Sequence, residues 1–425
     1  MFLIDPPSRG ARILGPAITN VAACEAEMRV LIVTREYPPS AEGGISRRLS
    51  NLVPALLDRG VEVGVVCFGG ASLAGETLYC LDARSRILYT RSGEPSAIEG
   101  ASVVADIWRL DRYASDILSR RKYDLVQIEE PVFGPFITSS VPRVVTTHST
   151  QLGMFRALLG VFGSPREMNR LAFSGTLGWF FDRLCLNDAE MVVAVGSALR
   201  DEIRRLYRVP WSRIAVVSNG VGALGVIDKE EAKRKIGRDN FLCVYAGRIV
   251  DIKRIGDFVK ALWRLKQSGF EDFSALILGS GPAKPKLVRM ACKLDLMSNL
   301  RFIEYVGGSQ FFDFLEAADV FVLPSCYEGF PISVLEAMAY GCVPVVADIP
   351  PLREIVSGGR NGMAFPVGDV QALSDALLLM ARDEPLRTSM SNSARNEVSK
   401  RTWSSVADEY VRIYGVLSAR TREAV

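Results

Sequence analysis

The chain of 425 residues is 48% hydrophobic and 23% charged, the balance of an ordinary globular protein with two or three domains, which excludes a disordered or fibrous chain. Its formal net charge of +3 gives no reason to expect a nucleic acid or another polyanion as partner. The single histidine, His148, excludes a histidine-rich metal site, and no two aspartates have the Asp-x-Asp spacing that would grip a metal–nucleotide complex.

The eight cysteines include no Cys-x-x-Cys pair, and Cys67, Cys243 and Cys342 lie within apolar runs. We expect buried thiols in a reducing compartment rather than disulfides or zinc ligands. No apolar run approaches the ~18–20 residues that cross a bilayer. The start, MFLIDPPSRGAR, lacks the basic and apolar blocks of a secretory signal, so we expect a cytoplasmic protein.

Residues 1–27 show no periodic pattern, and the first strong strand pattern follows Met28. We expect a disordered extension, or a start codon assigned upstream of the true one at Met28, rather than a functional arm.

From Arg29 onward, short runs rich in valine and isoleucine alternate with amphipathic segments. The runs are continuously apolar, as in parallel strands that helices cover on both faces. The strands predicted for the first half are RVLIVT (29–34), VEVGVV (61–66), DLVQI (124–128), RVVTT (143–147), MVVAV (191–195) and RIAVV (213–217), with helices over 102–121 and 197–207. This alternation predicts a doubly wound parallel sheet. Pro54 should kink or shorten the helix that follows the first strand.

After a glycine-rich and then charged segment, the alternation restarts. The strands predicted there are FLCVYAG (241–247), SALILG (274–279), NLRFIEY (299–305), DVFVLP (319–324) and CVPVVA (342–347). We therefore predict an α/β protein with two Rossmann-like domains that face each other across a cleft. The first domain spans 28–222 and is completed by a C-terminal helix within 403–425 that crosses back to it; a linker spans 223–240, and the second domain spans 241–402.

Three common catalytic motifs are missing. The first strand is not followed by G-x-G-x-x-G, and neither the P-loop nor the G-x-S-x-G elbow occurs. Hydride transfer, P-loop ATP hydrolysis and α/β-hydrolase chemistry therefore lose their main support.

Glycines and basic residues follow the first strand of each half. Gly43 and Gly44 open a helix, where backbone amides approach a phosphate or simply form a tight turn. Arg248 and Lys253 follow the strand at 241–247. Two interpretations are open: the two side chains bind phosphate oxygens, or they belong to a solvated basic loop.

The segment CYEGFPISVLEAMAYGCVPVVA (326–347) carries the strongest pattern. Pro331 fits the first position of a helix and Gly341 its C-terminal cap, so we predict a helix over 331–340. Glu328 would precede the helix and Glu336 lie within it, both facing the cleft. Between them we expect free amides that meet an anion, on Ile332, Ser333 and Val334.

Taken in order, these motifs resemble glycosyltransferase family 4, from Arg29 to about Val416. The resemblance rests on YPP…GGI (37–45), VVTTHS (144–149), VSNGV (217–221), GR…K (247–253), GSGP (279–282), Glu-x7-Glu (328–336) and the Trp403…Tyr410…Tyr414 helix. It implies the GT-B fold and transfer of a sugar with retention of the anomeric configuration, without a metal or another cofactor.

The resemblance also implies roles for individual residues. His148 would lie near the transferred sugar, Arg248 and Lys253 would hold the donor diphosphate, and Glu328 would bind the donor sugar. Glu336 would bind the ribose, and Gly44 would approach the diphosphate from the first domain. The remaining residues assigned to the nucleotide-sugar site are Gly43, Asn219, Gly281, Gly329, Phe330, Ile332, Ser333 and Val334.

Some positions depart from the family pattern. Ser218 and Gly222 stand where proline and aspartate are common, Gln127 and Glu129 where histidines are frequent, and Arg254 where glycine is frequent. These departures concern recognition of the acceptor more than binding of the donor.

The segment 151–184 is unusually apolar and contains Arg156, Arg166, Arg170 and Arg183. Two interpretations are open: a membrane-surface element that reaches a lipid-linked acceptor, or a pair of core helices.

The expected function is transfer of a hexose from a UDP- or GDP-sugar to a saccharide or lipid-linked acceptor, in polysaccharide or glycoconjugate biosynthesis, in the cytoplasm or at the inner face of the membrane. The alternatives are a sugar-nucleotide epimerase of the same fold and a non-catalytic sugar-nucleotide-binding protein. The basic segments SRRK (119–122) and IRRLYR (203–208) are expected to be solvated helix faces rather than a nucleic-acid site.

Overall fold

The computed structural model describes residues 28–38, 43–68, 85–90, 102–159, 172–222, 225–304 and 308–423. The extension predicted over 1–27 lies outside these ranges, as do Arg166 and Arg170.

The first sheet has seven strands in the order β3-β2-β1-β4-β5-β6-β7, all paired in parallel. Their bounds are β1 Met28–Val33, β2 Val61–Phe68, β3 Ser85–Thr90, β4 Leu125–Ile128, β5 Arg143–Thr147, β6 Met191–Ala194 and β7 Ile214–Val216. The strand order reverses between β1 and β4, and open α/β sheets bind ligands at the carboxyl ends of strands beside such a point.

Helices cover this sheet on both sides. They are α1 Gly44–Leu57, α2 Ser102–Arg120, α3 Gln151–Leu158, α4 Trp179–Asp188 and α5 Ser197–Tyr207, with a π-helical turn at Ser174–Gly178. The prediction that Pro54 shortens the first helix is wrong, because α1 continues through Pro54 to Leu57. Pro54 is exposed, so a backbone carbonyl that loses its partner there can bind water.

The second sheet has six strands in the order β10-β9-β8-β11-β12-β13. Their bounds are β8 Phe241–Ala246, β9 Phe273–Leu278, β10 Leu300–Ile303, β11 Val320–Leu323, β12 Val343–Ala347 and β13 Met363–Phe365. Here the order reverses between β8 and β11. Every predicted strand is present. Two strands were not predicted, β3 and β13, and each lies at one edge of its sheet.

The remaining helices are α6 Lys229–Ile236, α7 Ile255–Gln267, α8 Lys284–Lys293, α9 Gly308–Ala317, α10 Ile332–Ala339, α11 Pro350–Arg353, α12 Val370–Arg382, α13 Glu384–Val398 and α14 Trp403–Glu423. The segment predicted as a linker contains α6, which begins where the side chain of Asp228 accepts a hydrogen bond from the amide of Glu231. Lys233 of this helix forms a 2.9 Å ion pair with Asp319. The charged sequence thus forms a packed helix.

The last helix, α14, returns to the first domain as predicted. Trp403, Tyr410 and Tyr414 pack into one apolar core with residues of β1 and α1 such as Val30 and Leu52. Both tyrosines are fully buried. The expected buried thiols are also present, because Cys67, Cys243 and Cys342 are buried and unpaired. No helix in the described ranges combines the length and the apolar character needed to cross a membrane.

Candidate active site

The two domains touch where the carboxyl ends of their central strands meet. His148 follows β5, and Gly329 follows β11. A side chain at position 329 would overlap the carbonyl oxygen of His148, so only glycine permits this approach of the two backbones. The backbone of His148 therefore touches the residue that directly follows Glu328 in the chain.

Lys253 and Glu328 form a direct ion pair across the strand order reversal of the second sheet. Nζ of Lys253 lies 2.6 Å from Oε1 and 2.8 Å from Oε2 of Glu328. Lys253 ends a 3₁₀ turn over Asp251–Lys253, and the next residue, Arg254, has φ of 50°. This left-handed conformation favours glycine, which gives a physical reason for the glycine that is frequent there in the family.

Arg248 belongs to the same group of residues. The hydroxyl of the fully buried Tyr245 donates a 2.9 Å hydrogen bond to the carbonyl of Arg248. Burial raises the pKa of Tyr245 well above its ordinary value, the charge of Glu328 adds to the shift, and Arg248 opposes it. Arg248 and Glu328 therefore both lie close to this tyrosine, at the end of β8.

Gly281 supports the loop that carries Arg248. Its φ is 156°, and a side chain there would overlap the carbonyl of Ile249. The amide of Ile249 donates to the carbonyl of Ser280 at 2.8 Å. Gly281, which the sequence analysis assigns to the nucleotide-sugar site, thus packs against the backbone of the residue that follows Arg248.

The helix predicted over 331–340 begins one residue later, because Pro331 is its N-cap and α10 spans Ile332–Ala339. Gly341 has φ of 76° and donates its amide to the carbonyl of Met338, as the predicted C-terminal cap requires. The prediction of a free amide on Val334 is wrong, since this amide donates to the carbonyl of Pro331 at 3.2 Å. Ile332 and Ser333 are half-buried at the start of the helix, next to the buried Phe330.

Glu336 is held by an arginine from the other domain. Nε of Arg47, on α1, lies 2.7 Å from Oε1 of Glu336, and the guanidinium lies 4.1 Å from the ring centre of Phe311. Burial raises the pKa of Glu336 to about 7, although Arg47 acts in the opposite direction. Sequence reasoning missed Arg47, which no local pattern distinguishes from the neighbouring Arg48.

At the start of α1, a carboxylate occupies the place beside Gly43. A side chain at Gly43 would overlap the carboxylate of Glu36, whose Oε1 accepts a 3.4 Å hydrogen bond from the amide of Ser46. Among the described residues, which do not include 39–42, a methyl group at Gly44 would meet no atom within 4 Å. Of the two predicted glycines, only Gly43 is therefore in contact with Glu36.

His148 is anchored from its own domain. Its Nε2 lies 2.8 Å from Oε2 of Glu129, and Nε of the fully buried Arg48 lies 3.3 Å from the same oxygen. Gln127 also donates to Glu129. Burial acts to raise the pKa of Glu129, but Arg48 and His148 outweigh it and lower the pKa to about 2. Sequence reasoning noted Glu129 as a departure from the family and missed its pairing with Arg48.

Asn219 joins the two domains. Its Oδ1 accepts a 3.1 Å hydrogen bond from Nη1 of Arg48, and its Nδ2 donates a 2.8 Å hydrogen bond to the carbonyl of Phe330. Asn219, predicted to touch the donor, thus connects the His148 cluster with the loop that precedes α10.

Further polar contacts cross the interface. The hydroxyl of Tyr327 accepts from the amide of Thr150 at 2.9 Å and donates to Glu202 at 2.8 Å. Glu354 accepts hydrogen bonds from the first amides of α5, on Ser197 at 2.8 Å and on Ala198 at 2.5 Å. The structure is therefore a closed arrangement of the two domains. Within the described ranges, no three His, Cys, Asp or Glu side chains cluster as metal ligands.

Solved structures with this architecture include two that match nearly the whole chain. Sucrose-phosphate synthase from Thermosynechococcus elongatus has a TM-score of 0.77 at 17% identity, over 92% of this chain and 100% of that one. Anabaena HepE in complex with UDP-glucose has a TM-score of 0.70 at 17% identity, with the same coverage. The likeness shows the fold, so the molecule is a GT-B protein and the predicted fold class is confirmed.

Family comparison names the class of enzyme. Residues 42–222 match the family described as Glycosyltransferase Family 4, and residues 226–397 match Glycosyl transferases group 1. The two matches together span most of the chain. The protein belongs to the glycosyltransferases that these two descriptions, family 4 and group 1, define together, as the sequence motifs indicate.

Two curated relatives cover the chain almost end to end. An uncharacterized glycosyltransferase of Methanocaldococcus jannaschii is 24% identical in an alignment that covers 92% of this chain and 98% of the relative. The alpha-maltose-1-phosphate synthase of Mycolicibacterium smegmatis is 25% identical in an alignment that covers 92% of this chain and 100% of the relative.

Proposed function

We propose that this glycosyltransferase transfers a hexose from a UDP- or GDP-sugar to a saccharide or lipid-linked acceptor, with retention and without a metal. The observation that carries the proposal is the 2.6 Å pair of Lys253 and Glu328 at the start of the loop that leads into α10. A cation, a carboxylate and a helix N-terminus then meet at one edge of the second sheet. That Anabaena HepE binds UDP-glucose in the same fold supports a nucleotide-sugar donor.

The proposed reaction develops negative charge on the departing nucleoside diphosphate. Lys253 would bind this charge as a mobile cation, and Arg248 as a planar donor of several hydrogen bonds. Preorganised donors of this kind stabilise a leaving group in a closed site, where water does not compete. The positive end of the α10 dipole adds to the same field.

Glu328 would play a second part. Its carboxylate is nearly buried and lies one residue from the contact between Gly329 and His148. When the diphosphate takes Lys253, Glu328 is released to bind hydroxyl groups of the donor sugar and to face the positive charge that develops on its ring. Attack of the acceptor from the same face as the leaving phosphate oxygen would retain the configuration, and that oxygen would take the acceptor's proton.

A panel of nucleotide sugars tests this function. We expect one UDP- or GDP-hexose to raise the melting temperature, as a ligand that binds the native state must. The same compound should release its nucleoside diphosphate in the presence of EDTA. The anomeric configuration of the product, followed by proton NMR, decides between retention and inversion. Epimerised nucleotide sugar without release of nucleoside diphosphate would contradict the proposal, and so would stabilisation without turnover for every acceptor class.

We also propose that the first domain contacts a membrane surface that carries the acceptor. Leu177, Phe180 and Leu184 follow one another at spacings of three and four residues, and their exposed fractions are 47%, 47% and 38%. Phe180 and Leu184, four residues apart, share one face of α4, and Leu177 lies in the π-helical turn that leads into this helix. Arg183, beside them, lies 6.0 Å from the ring centre of Trp179 and can meet anionic headgroups.

Co-sedimentation with vesicles of anionic and of zwitterionic phospholipid tests the contact. We expect binding to anionic vesicles, and its loss in the double variant Phe180→Ser and Leu184→Ser. Trp108, which is 53% exposed on α2, provides the control variant Trp108→Ser. Equal sedimentation of all three proteins would contradict a membrane contact through this face.

A further inference from the structure

A buried positive charge lies beside the candidate active site. Arg48 is completely buried, and its guanidinium donates 3.1 Å and 2.6 Å hydrogen bonds to Asn219 and to the hydroxyl of Tyr410. Arginine keeps its proton in proteins, and a buried charge needs a counter-charge. The carboxylate 3.3 Å away is that of Glu129, which is also completely buried. Glu129 must therefore be ionised in the folded protein.

An ionised carboxylate accepts hydrogen bonds and cannot donate them. Oε2 of Glu129 lies 2.8 Å from Nε2 of His148, so the proton in this contact belongs to the histidine. When the ring is neutral, Nδ1 then carries a lone pair. The low pKa of Glu129, about 2, agrees with an ionised carboxylate, since burial alone would raise it and the charge of Arg48 and the hydrogen bond with His148 outweigh burial.

The lone pair of Nδ1 remains available to a ligand. No hydrogen bond of Nδ1 is found within the described ranges, and the side chain of His148 is 16% exposed. The backbone of His148 touches Gly329, beside the pair of Lys253 and Glu328. A phosphate oxygen without a proton cannot donate to Nδ1, whereas a sugar or acceptor hydroxyl can.

We propose that Glu129 is a positioning residue that fixes His148 as the Nε2–H tautomer, so that Nδ1 accepts a hydrogen bond from a substrate hydroxyl. The ligand part of this inference rests on the proposed function, while the tautomer is a property of the free protein. Glu129 itself does not touch the substrate. Arg48 secures the charge of Glu129, and Asn219 and Tyr410 secure Arg48.

The single histidine of the chain makes the tautomer directly measurable. In protein labelled with ¹⁵N-histidine, a long-range ¹H–¹⁵N spectrum of the free enzyme contains one imidazole. At a pH where the ring is neutral, we expect a protonated Nε2 and an unprotonated Nδ1. A neutral ring that carries its proton on Nδ1 would overturn the proposal whether or not the protein is active.

A second spectrum tests the hydroxyl. The protein is titrated with UDP-glucose or GDP-glucose, whichever stabilises it more, and in parallel with the matching nucleoside diphosphate. We expect the Nδ1 signal to move toward that of a hydrogen-bonded nitrogen only when the hexose or an acceptor sugar is present. An equal shift with the diphosphate alone, or no shift with a nucleotide sugar that binds, either alone or together with acceptor sugars, would overturn the hydroxyl contact. If no nucleotide sugar binds, the proposed function fails, and the first spectrum still decides the tautomer.

Variants separate positioning from stability. In the double variant Arg48→Met and Glu129→Met, both charges leave together, so no unpaired charge stays buried. We expect a mixed tautomer and a kcat about 100-fold lower, while the affinity for nucleoside diphosphate stays the same. Tyr207→Phe removes a buried hydroxyl that contacts Asp182 in the same domain, outside this cluster, and it should keep the tautomer and the kcat even if the melting temperature falls. A wild-type kcat in the double variant, or an equal loss in Tyr207→Phe, would contradict a positioning role for Glu129.

Discussion

Arg47 and Glu336 form a 2.7 Å ion pair that joins the first helix of one domain to α10 of the other. Their side chains are 33% and 11% exposed. Glu336 is also the residue that the family resemblance assigns to the ribose. In the closed structure, Arg47 therefore already pairs with the carboxylate of Glu336, to which the resemblance would have the ribose bind.

Removal of Arg47 should strengthen nucleotide binding. If ribose hydroxyls compete with Arg47 for Glu336, Arg47→Met spares the ligand the cost of breaking a partly exposed ion pair, roughly 0.2–1 kcal/mol. We expect the Kd for the nucleoside diphosphate to fall by up to about fivefold in isothermal titration calorimetry. Arg120, exposed on α2, provides the control Arg120→Met. Weaker binding by Arg47→Met would instead make Arg47 a ligand contact.

Gly329→Ala should separate the two domains. The new methyl group would overlap the carbonyl oxygen of His148, so the closed arrangement cannot form unchanged. Because a displacement of about 1 Å in a reacting centre can cost 10²-fold, we expect kcat to fall by about that factor. Small-angle scattering should show a larger radius of gyration for the variant.

Gly256→Ala is the matched control. Gly256 lies in α7, and the nearest atom to an added methyl group is 3.7 Å away. Alanine favours a helix over glycine by about 1 kcal/mol, so this variant should be active and slightly more stable. Full activity of Gly329→Ala would show that catalysis does not need the contact between the domains.

Lys253→Ala should lower kcat by about 10²-fold, and Arg248→Ala by a similar factor, because each removes a donor aimed at the leaving diphosphate. Lys253→Ala also leaves the carboxylate of Glu328 without its partner, so its melting temperature is measured alongside the steady-state rate. The exposed Lys260 of α7 supplies the control Lys260→Ala. Near-normal turnover of either variant would remove that residue from the proposed mechanism.

Asp182 should make stability depend on pH. Burial raises its pKa from 3.8 to about 7, against hydrogen bonds from the amide of Gln151 and the hydroxyl of Tyr207. The native state therefore holds this proton more tightly than the unfolded chain. Its contribution to stability is complete below pH 3.8 and is lost as the pH rises through about 7.

The variant Asp182→Asn remains neutral and should not lose this contribution. From urea unfolding at about pH 5 and about pH 8, we expect the variant to gain up to roughly 3 kcal/mol relative to wild type at the higher pH. Asp201→Asn, at an exposed carboxylate, should follow the wild-type profile. Parallel profiles for wild type and Asp182→Asn would show that Asp182 is ionised in the native protein.

The sequence predicts the two sheets well because buried parallel strands are local, continuous apolar runs. The strand predicted over 143–147 has the observed bounds, and the one over 191–195 ends one residue earlier, at Ala194. The three-residue strand β13 was not predicted, because so short an edge strand gives hardly any periodic signal in the sequence.

The site was predictable only where a motif is contiguous. Glu328, Gly341 and Lys253 follow from local patterns, and the structure places Lys253 and Glu328 in contact. Arg48 and Glu129 are 81 residues apart, and each resembles an ordinary surface charge in sequence. Only the fold shows that two such charges neutralise each other inside the core.

The return of α14 to the first domain has a consequence for biosynthesis. Tyr410 and Tyr414 complete an apolar core that also contains residues of β1, α1 and β2, which are synthesised more than 300 residues earlier. A ribosome that has produced every strand of the first sheet has therefore not yet produced a domain that can hold its final structure. We expect the nascent first domain to stay partly folded and accessible to chaperones until the second domain has been synthesised. A premature stop codon near residue 400 would remove α14 and would therefore destabilise the first domain, although every strand of that domain is still made.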